Sequence, residues 1–233
     1  MDNSPQNVSG YGTGAQAALV RNRVLRNTYL LLAISMIPTV LGAWVGLQSG
    51  INRVMGSSPG FSAILFLAGA FGLMFLIERN KNNSLGVALL LAFTFFMGVM
   101  LSRLLGFVLG MGNGAQLIMF AFGGTAAVFG AMATIASTTK RDFSGMQKFL
   151  FIGAVILIVA SLANIFLQMP ALMLTVSVMA IGIFSAFLLV DLQRIINGGE
   201  TNYISATLAV YLSLYNIFSN LLMLLGVLGG DRD

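Results

Sequence analysis

The chain has 233 residues, of which 58% are hydrophobic and only 8% charged, with a mean hydropathy of +0.92. A water-facing surface cannot be built from that composition, so a soluble globular domain is excluded and an integral membrane protein is implied. The formal net charge of +5 does not signal nucleic acid, because the basic residues are scattered among apolar segments and form no contiguous patch. With no Cys and no His, disulfides, thiolate metal sites and the usual general base are all excluded.

Residues 1–20, MDNSPQNVSGYGTGAQAALV, are polar, Gly-rich and almost uncharged. They repeat no apolar residues over a useful length, so they cannot offset the entropy of ordering and read as a flexible cytoplasmic tail. A signal peptide does not fit: the basic run from Arg21 to Arg26 comes late, the apolar segment after it is too long, and no small-residue cleavage site follows. Residues 21–233 read as a single transmembrane domain, an all-α bundle of seven helices at about 28–47, 61–77, 85–109, 115–137, 149–167, 171–190 and 204–228. Each is near the roughly 20 residues that a helix needs to cross a bilayer. The short links are rich in Gly, Ser and Asn and leave no room for an inserted soluble domain.

Small residues recur four apart at Gly106 and Gly110, Ala126 and Gly130, and Gly182 and Ala186, with Gly86, Gly98, Gly123 and Gly124 of the same character. They predict close helix packing within the bundle rather than a dimer face. No internal repeat is visible, so the inverted-repeat signature of a transporter is missing. Sorting the charges by side places Arg21, Arg23, Arg26, Arg79, Lys81, Lys140, Arg141, Lys148 and Arg194 with the N-terminus, against Arg53, Arg103 and Arg232 on the other side. The positive-inside rule then predicts a cytoplasmic N-terminus and a periplasmic C-terminus.

The last segment carries a stripe. At about 100° per residue, Asn202, Ala206, Ala209, Ser213, Asn216 and Asn220 share one face, and Ile204, Leu208, Tyr211, Tyr215, Phe218 and Leu222 the opposite one. A side-chain amide in hydrocarbon needs a partner, so the polar stripe is expected to turn inward and the bulky face toward lipid or flanking helices. Asn164, Asn216 and Asn220 are read as polar residues of the bundle interior, and Asn164 and Asn216 as interhelical hydrogen-bond formers rather than ligands. Asp191 closes the sixth apolar segment. It is either a functional carboxylate at membrane depth or a hydrated headgroup-level charge paired with Arg194. Glu78 and Arg79 end the second segment on the same side; Arg79 either reaches Asp191 or is a solvated boundary charge, while Arg103 is expected to snorkel outward. Catalysis finds no support: Ser213 has no His to activate it, the three lysines are boundary residues, and Asp191 has no second carboxylate at its depth.

The run GGETNYISATLAVYLSLYNIFSNLLMLLG resembles the Bax inhibitor-1 family, within it the bacterial YccA branch, as do RNTYLLL, GGTAAVFG, TTKRDFS and ANIFLQMPAL. The similarity runs from Arg21 onward and implies a multi-pass protein of the bacterial inner membrane. For that branch it further implies a partner, the membrane-anchored ATP-dependent protease FtsH with its associated membrane proteins. The chain would modulate it as a poorly degraded substrate or competitor in membrane-protein quality control, gripped by its tail Met1 to Val20. For the wider family the resemblance implies instead a pH-sensitive calcium leak, with two aspartates on the last two helices and an arginine latch. Asp191 matches the first aspartate and Arg79 the arginine, while Ser213 occupies the second aspartate position. A hydroxyl cannot share a carboxyl proton, and calcium prefers about six to eight oxygen ligands, so no metal site or cofactor is expected and protease modulation is the favoured reading.

Overall fold

The computed structural model describes residues 9–51 and 59–230. They form seven long α-helices: α1 (Ser9–Gln48), α2 (Pro59–Asn80), α3 (Ser84–Leu109), α4 (Gly114–Thr138), α5 (Gln147–Leu167), α6 (Pro170–Ile196) and α7 (Tyr203–Gly229), with one 3-10 turn at Ser144–Met146. All seven are long and apolar enough to cross a bilayer. No strand occurs among the described residues. This is a multi-pass membrane protein whose outer faces are apolar: Phe122 and Phe166, for example, are 69% and 84% exposed. In water such faces would drive association, whereas in lipid they are the solvated surface.

Two helix limits differ from those expected. α1 begins at Ser9, so residues 9–20 of the expected irregular tail are helical. The segment Ala15–Val20 lacks an amphipathic face but is made of good helix formers, and it continues the turn of the spanning helix behind it. Residues 1–8 of that tail lie outside the described residues, as do Arg53 and the C-terminal Asp231 to Asp233. At α6, the helix does not stop at Asp191 but runs to Ile196. One carboxylate ends an apolar run without breaking helical periodicity, and Leu192 and Ile195 beyond it are still buried. Termination comes at Gly198, whose φ of +78° lets Gly199 N–H close back on the Arg194 carbonyl at 2.8 Å.

The last helix is central. α7 packs against α6, α4, α1 and α3 and touches α2, leaving only α5 out of reach. The bulky face, expected to meet lipid or flanking helices, meets flanking helices: Ile204, Leu208, Tyr211 and Leu222 are buried, and Tyr215 and Phe218 half-buried. On the polar stripe Ala206 and Ser213 are buried, while Asn202, Ala209, Asn216 and Asn220 are half-buried. A helix surrounded on nearly every side has no lipid face to which bulk could be assigned. The main core gathers Phe93, Leu188, Leu192, Ile204, Tyr211 and Ile217, and a smaller one joins Val108, Leu117, Ala121 and Leu222 toward the other end.

Contact between α1 and α3 is the most extensive in the bundle, and glycine makes it possible. A Cβ built on Gly42 would fall onto the Phe95 carbonyl oxygen, and one on Gly98 onto the Thr39 carbonyl oxygen. Gly46, four residues after Gly42, leaves room for the Ser102 side chain of α3. The small-residue pairs singled out in the sequence behave differently. Gly130 and Gly182 have open space where a Cβ would stand, and Gly110 has only ordinary contacts. Gly98→Val should therefore destabilise the bundle by about 3 kcal/mol or more, because the clash is with backbone that cannot rotate away. Gly130→Val should be near neutral. Thermal unfolding of the two purified variants in one detergent checks this ordering.

Candidate functional site

The links at one end of the bundle are stitched together by two side-chain amides. Asn202 stands just before α7, not on its face, and its Oδ1 accepts from the N–H groups of Ile204 at 2.9 Å and Ser205 at 3.2 Å. That satisfies two of the donors that a helix start leaves open. Its Nδ2 donates to the Lys81 carbonyl at 2.9 Å and to Asn82 Oδ1 at 3.0 Å, tying the start of α7 to the link between α2 and α3. Gln193, 4% exposed, does the same for the link between α4 and α5. Its Nε2 donates to the Arg141 carbonyl at 2.6 Å, and its Oε1 accepts from Phe143 N–H at 2.9 Å. The Arg141 guanidinium lies 5.9 Å from the centre of the Phe143 ring.

This end carries most of the charge. Lys81 pairs with Glu78 at 2.9 Å, which raises the lysine pKa through that hydrogen bond and the carboxylate's field; the pair is solvent-exposed and contributes little to stability. Arg194 makes no ion pair with Asp191. It reaches Glu200 at 3.4 Å and the Gly199 carbonyl at 3.3 Å, because the tight turn after α6 brings those groups beneath it. Asp191 itself is half-buried and makes no hydrogen bond or ion pair among the described residues.

The three residues matched to an ion-sensing arrangement are not joined here. Arg79 is exposed, and no ion pair or hydrogen bond connects it, Asp191 and Ser213 to one another among the described residues. Ser213 is 3% exposed and lies about 15 Å along α7 from its start, whereas Asp191 lies about 7 Å before the end of α6, so the two differ in depth. Among the described residues an open groove of about 700 Å³ lies beside Lys81, Asn82, Thr201 and Asn202, and a cavity of about 820 Å³ lies at the opposite end. Asp191 lines neither.

Asn164 and Asn216, read as interhelical bonders, spend their amides locally, as does Asn220. Asn216 Nδ2 donates to the Leu212 carbonyl and Asn220 Nδ2 to the Asn216 carbonyl, each at 2.8 Å within α7. Asn164 Oδ1 accepts from Met169 N–H at 2.9 Å and shapes the turn between α5 and α6. The interhelical bonds come from hydroxyls instead. Tyr211 and Thr39 hydroxyls meet at 2.9 Å, and Tyr215 donates to the Met97 carbonyl at 3.3 Å. Asn202, expected on the polar face of the helix, caps it instead, a role that the stripe does not show and for which an Asn directly before the apolar run YISATL is the available signal; nothing in the sequence distinguishes Gln193 from a surface glutamine.

Gln193→Leu should leave the Arg141 carbonyl and Phe143 N–H without partners and cost about 1–3 kcal/mol. Limited proteolysis should then cut residues 139–146 faster than in the unaltered chain, and Asn202→Ala should do so at 81–83. A separate pH effect is expected in the former link. Ser144 N–H and hydroxyl both donate to Asp142, at 2.8 and 3.0 Å, and hold its carboxyl below the usual range. The folded pKa being the lower one, the restraint is present at neutral pH and disappears as pH falls through that lowered value. Hydrogen-exchange protection at Ser144 should fall on such acidification and be missing at both pH values in Asp142→Ala.

Comparison with known proteins covers almost all of this architecture. The family model described as "Inhibitor of apoptosis-promoting Bax1" matches residues 21–230. Escherichia coli K12 has a relative named "Modulator of FtsH protease YccA", 41% identical over 91% of this chain and 94% of its own. An uncharacterized protein of Neisseria meningitidis is 41% identical over 91% of this chain and 93% of its own. An uncharacterized membrane protein of Vibrio cholerae is 38% identical over 93% and 94%. The seven spanning helices and the match from Arg21 to Gly230 thus have one explanation: the chain belongs to the Bax inhibitor-1 family.

Proposed function

We propose that this chain modulates an FtsH-type ATP-dependent protease in the bacterial inner membrane, with its N-terminus in the cytoplasm, as a poorly degraded substrate or competitor in membrane-protein quality control. The similarity to the E. coli relative named as a modulator of FtsH supports it. The observation that carries it is the filled middle of the bundle. Phe93 and Leu188 are fully buried and Tyr211 is 1% exposed, and Asp191 opens into neither cavity. A packed core of this kind resists extraction, while the segment before Leu19, where the first span begins, gives a processive protease something to engage. The chain acts by being held, not by catalysis.

An ion leak of the family type is the second reading, favoured by the half-buried carboxylate of Asp191 at the charged end. Against it stand the serine at position 213 and the exposed, unlatched Arg79. Among the described residues, moreover, no three His, Cys, Asp or Glu side chains gather, where calcium takes about six to eight oxygens.

Deleting residues 2–18 separates the two readings. Affinity capture of the full chain from native membranes should bring down the FtsH-type protease, and the deletion should lengthen cellular half-life while leaving detergent-phase thermal stability unchanged. Failure to capture the protease, an unchanged half-life, and a calcium flux abolished by Asp191→Asn would together replace protease modulation with the leak.

A further inference from the structure

The larger cavity, about 820 Å³, lies at the end opposite the stitched links. It is walled by the first turns of α2 and α6, the last turns of α3 and α5, and the second half of α7. Its volume falls within the range of about 300–1,000 Å³ typical of small-ligand sites. Most of the wall is apolar and adaptable, with Met100, Met173, Met223, Phe66 and Phe107 contributing. α2 and α5 barely touch across it, so the cavity faces the bilayer sideways between them.

One charged side chain stands in this wall, Arg103. It lies six residues before the end of α3 at Leu109, about 9 Å inside the helix terminus. Arg103 is exposed and takes part in no ion pair among the described residues. A guanidinium at that depth is costly without an anion or water. Asn164 and Asn220 share the wall. Each has part of its amide committed to backbone, Asn164 through Oδ1 and Asn220 through Nδ2, which leaves Asn164 Nδ2 as a further donor.

We propose that this cavity binds an anionic phospholipid, with the phosphate held by Arg103 and one acyl chain laid among the methionine and phenylalanine side chains. The charge sign selects the headgroup, since the wall offers a cation and no carboxylate. The planar fork of arginine matches two phosphate oxygens at once, which a lysine ammonium does not. The lateral opening and the apolar wall select a lipid over a soluble anion. The site is separate from Asp191 and stands whether or not the protease reading holds.

The test uses the full purified chain in detergent, loaded with equal amounts of phosphatidylglycerol and phosphatidylethanolamine of matched acyl chains and read by native mass spectrometry. The unaltered chain should retain phosphatidylglycerol in preference. Arg103→Ala should lower its retention by about tenfold, and Arg103→Lys by less, as expected for loss of a bidentate contact. Ala63→Trp, which narrows the cavity from α2, should reduce retention of both lipids. Arg26→Ala, an exposed cation at the other end, should change nothing. Because Arg103 is exposed and bonded to no described residue, its variants should unfold at the temperature of the unaltered chain. Equal retention of the two lipids, a loss with Arg26→Ala as large as with Arg103→Ala, or displacement of the lipid by inorganic phosphate alone would each overturn the proposal.

Discussion

Where the backbones of α1 and α3 meet, at Gly42 and Gly98, no side chain separates them, and at Gly46 only the small Ser102 side chain does; that contact fixes where the last helix can sit. It brings Thr39 of α1 and Thr94 of α3 to a common seat for Tyr211. The tyrosine hydroxyl meets Thr39 Oγ1 at 2.9 Å and the Thr94 carbonyl at 3.5 Å. The Tyr211 ring stands edge-on to Phe93, 6.0 Å between centroids, and stacks on Tyr215 at 6.2 Å. A phenol hydroxyl in hydrocarbon has no water to bond, so each must find a protein acceptor. Parting α1 from α3 would strand these hydroxyls as well as lose the packing. The buried aromatic layer that fills the middle of the bundle thus depends on a seam lined by glycine.

The two ends are built differently. At the charged end, Asn202 and Gln193 join three links to the helices through backbone groups, so the irregular segments there are bonded rather than merely solvated. At the opposite end the helices diverge. Asn113 Nδ2 reaches the Gly229 carbonyl at 2.6 Å, but α2 and α5 leave a cavity between them that only Arg103 charges. A rigid centre with a bonded, charged face suits a protein that is held by a partner, and a lipid-facing cleft on the other face suits regulation by the membrane itself. Neither property needs a path through the core.

Much of the candidate site was not legible in the chain. Gly110 and Gly182 each belong to a small-residue pair with the same spacing as Gly42 and Gly46, yet a Cβ on Gly182 would meet nothing and one on Gly110 only ordinary contacts, whereas Gly42 and Gly46 lie against α3. Asp191 marks the end of an apolar run and not the end of its helix, because hydropathy and helical periodicity are separate signals. The amide of Asn216, expected to bond between helices, turns back on its own helix, as does that of Asn220, because the carbonyl four residues earlier is always within reach.

By itself, the sequence determined that the chain spans a membrane seven times, that its basic residues are asymmetrically placed between the ends of those spans, and that it belongs to its family, since each is a property of residues counted along the chain. Tertiary structure decided which glycines form the seam, that α7 has no lipid face, that Arg194 forms its ion pair with Glu200 and not with Asp191, and that Arg103 lines a cavity. Those depend on how each helix is rotated about its axis. In a bilayer the lipid is as apolar as the core, so hydropathy does not tell an inward face from an outward one, and only the packed helices resolve the choice.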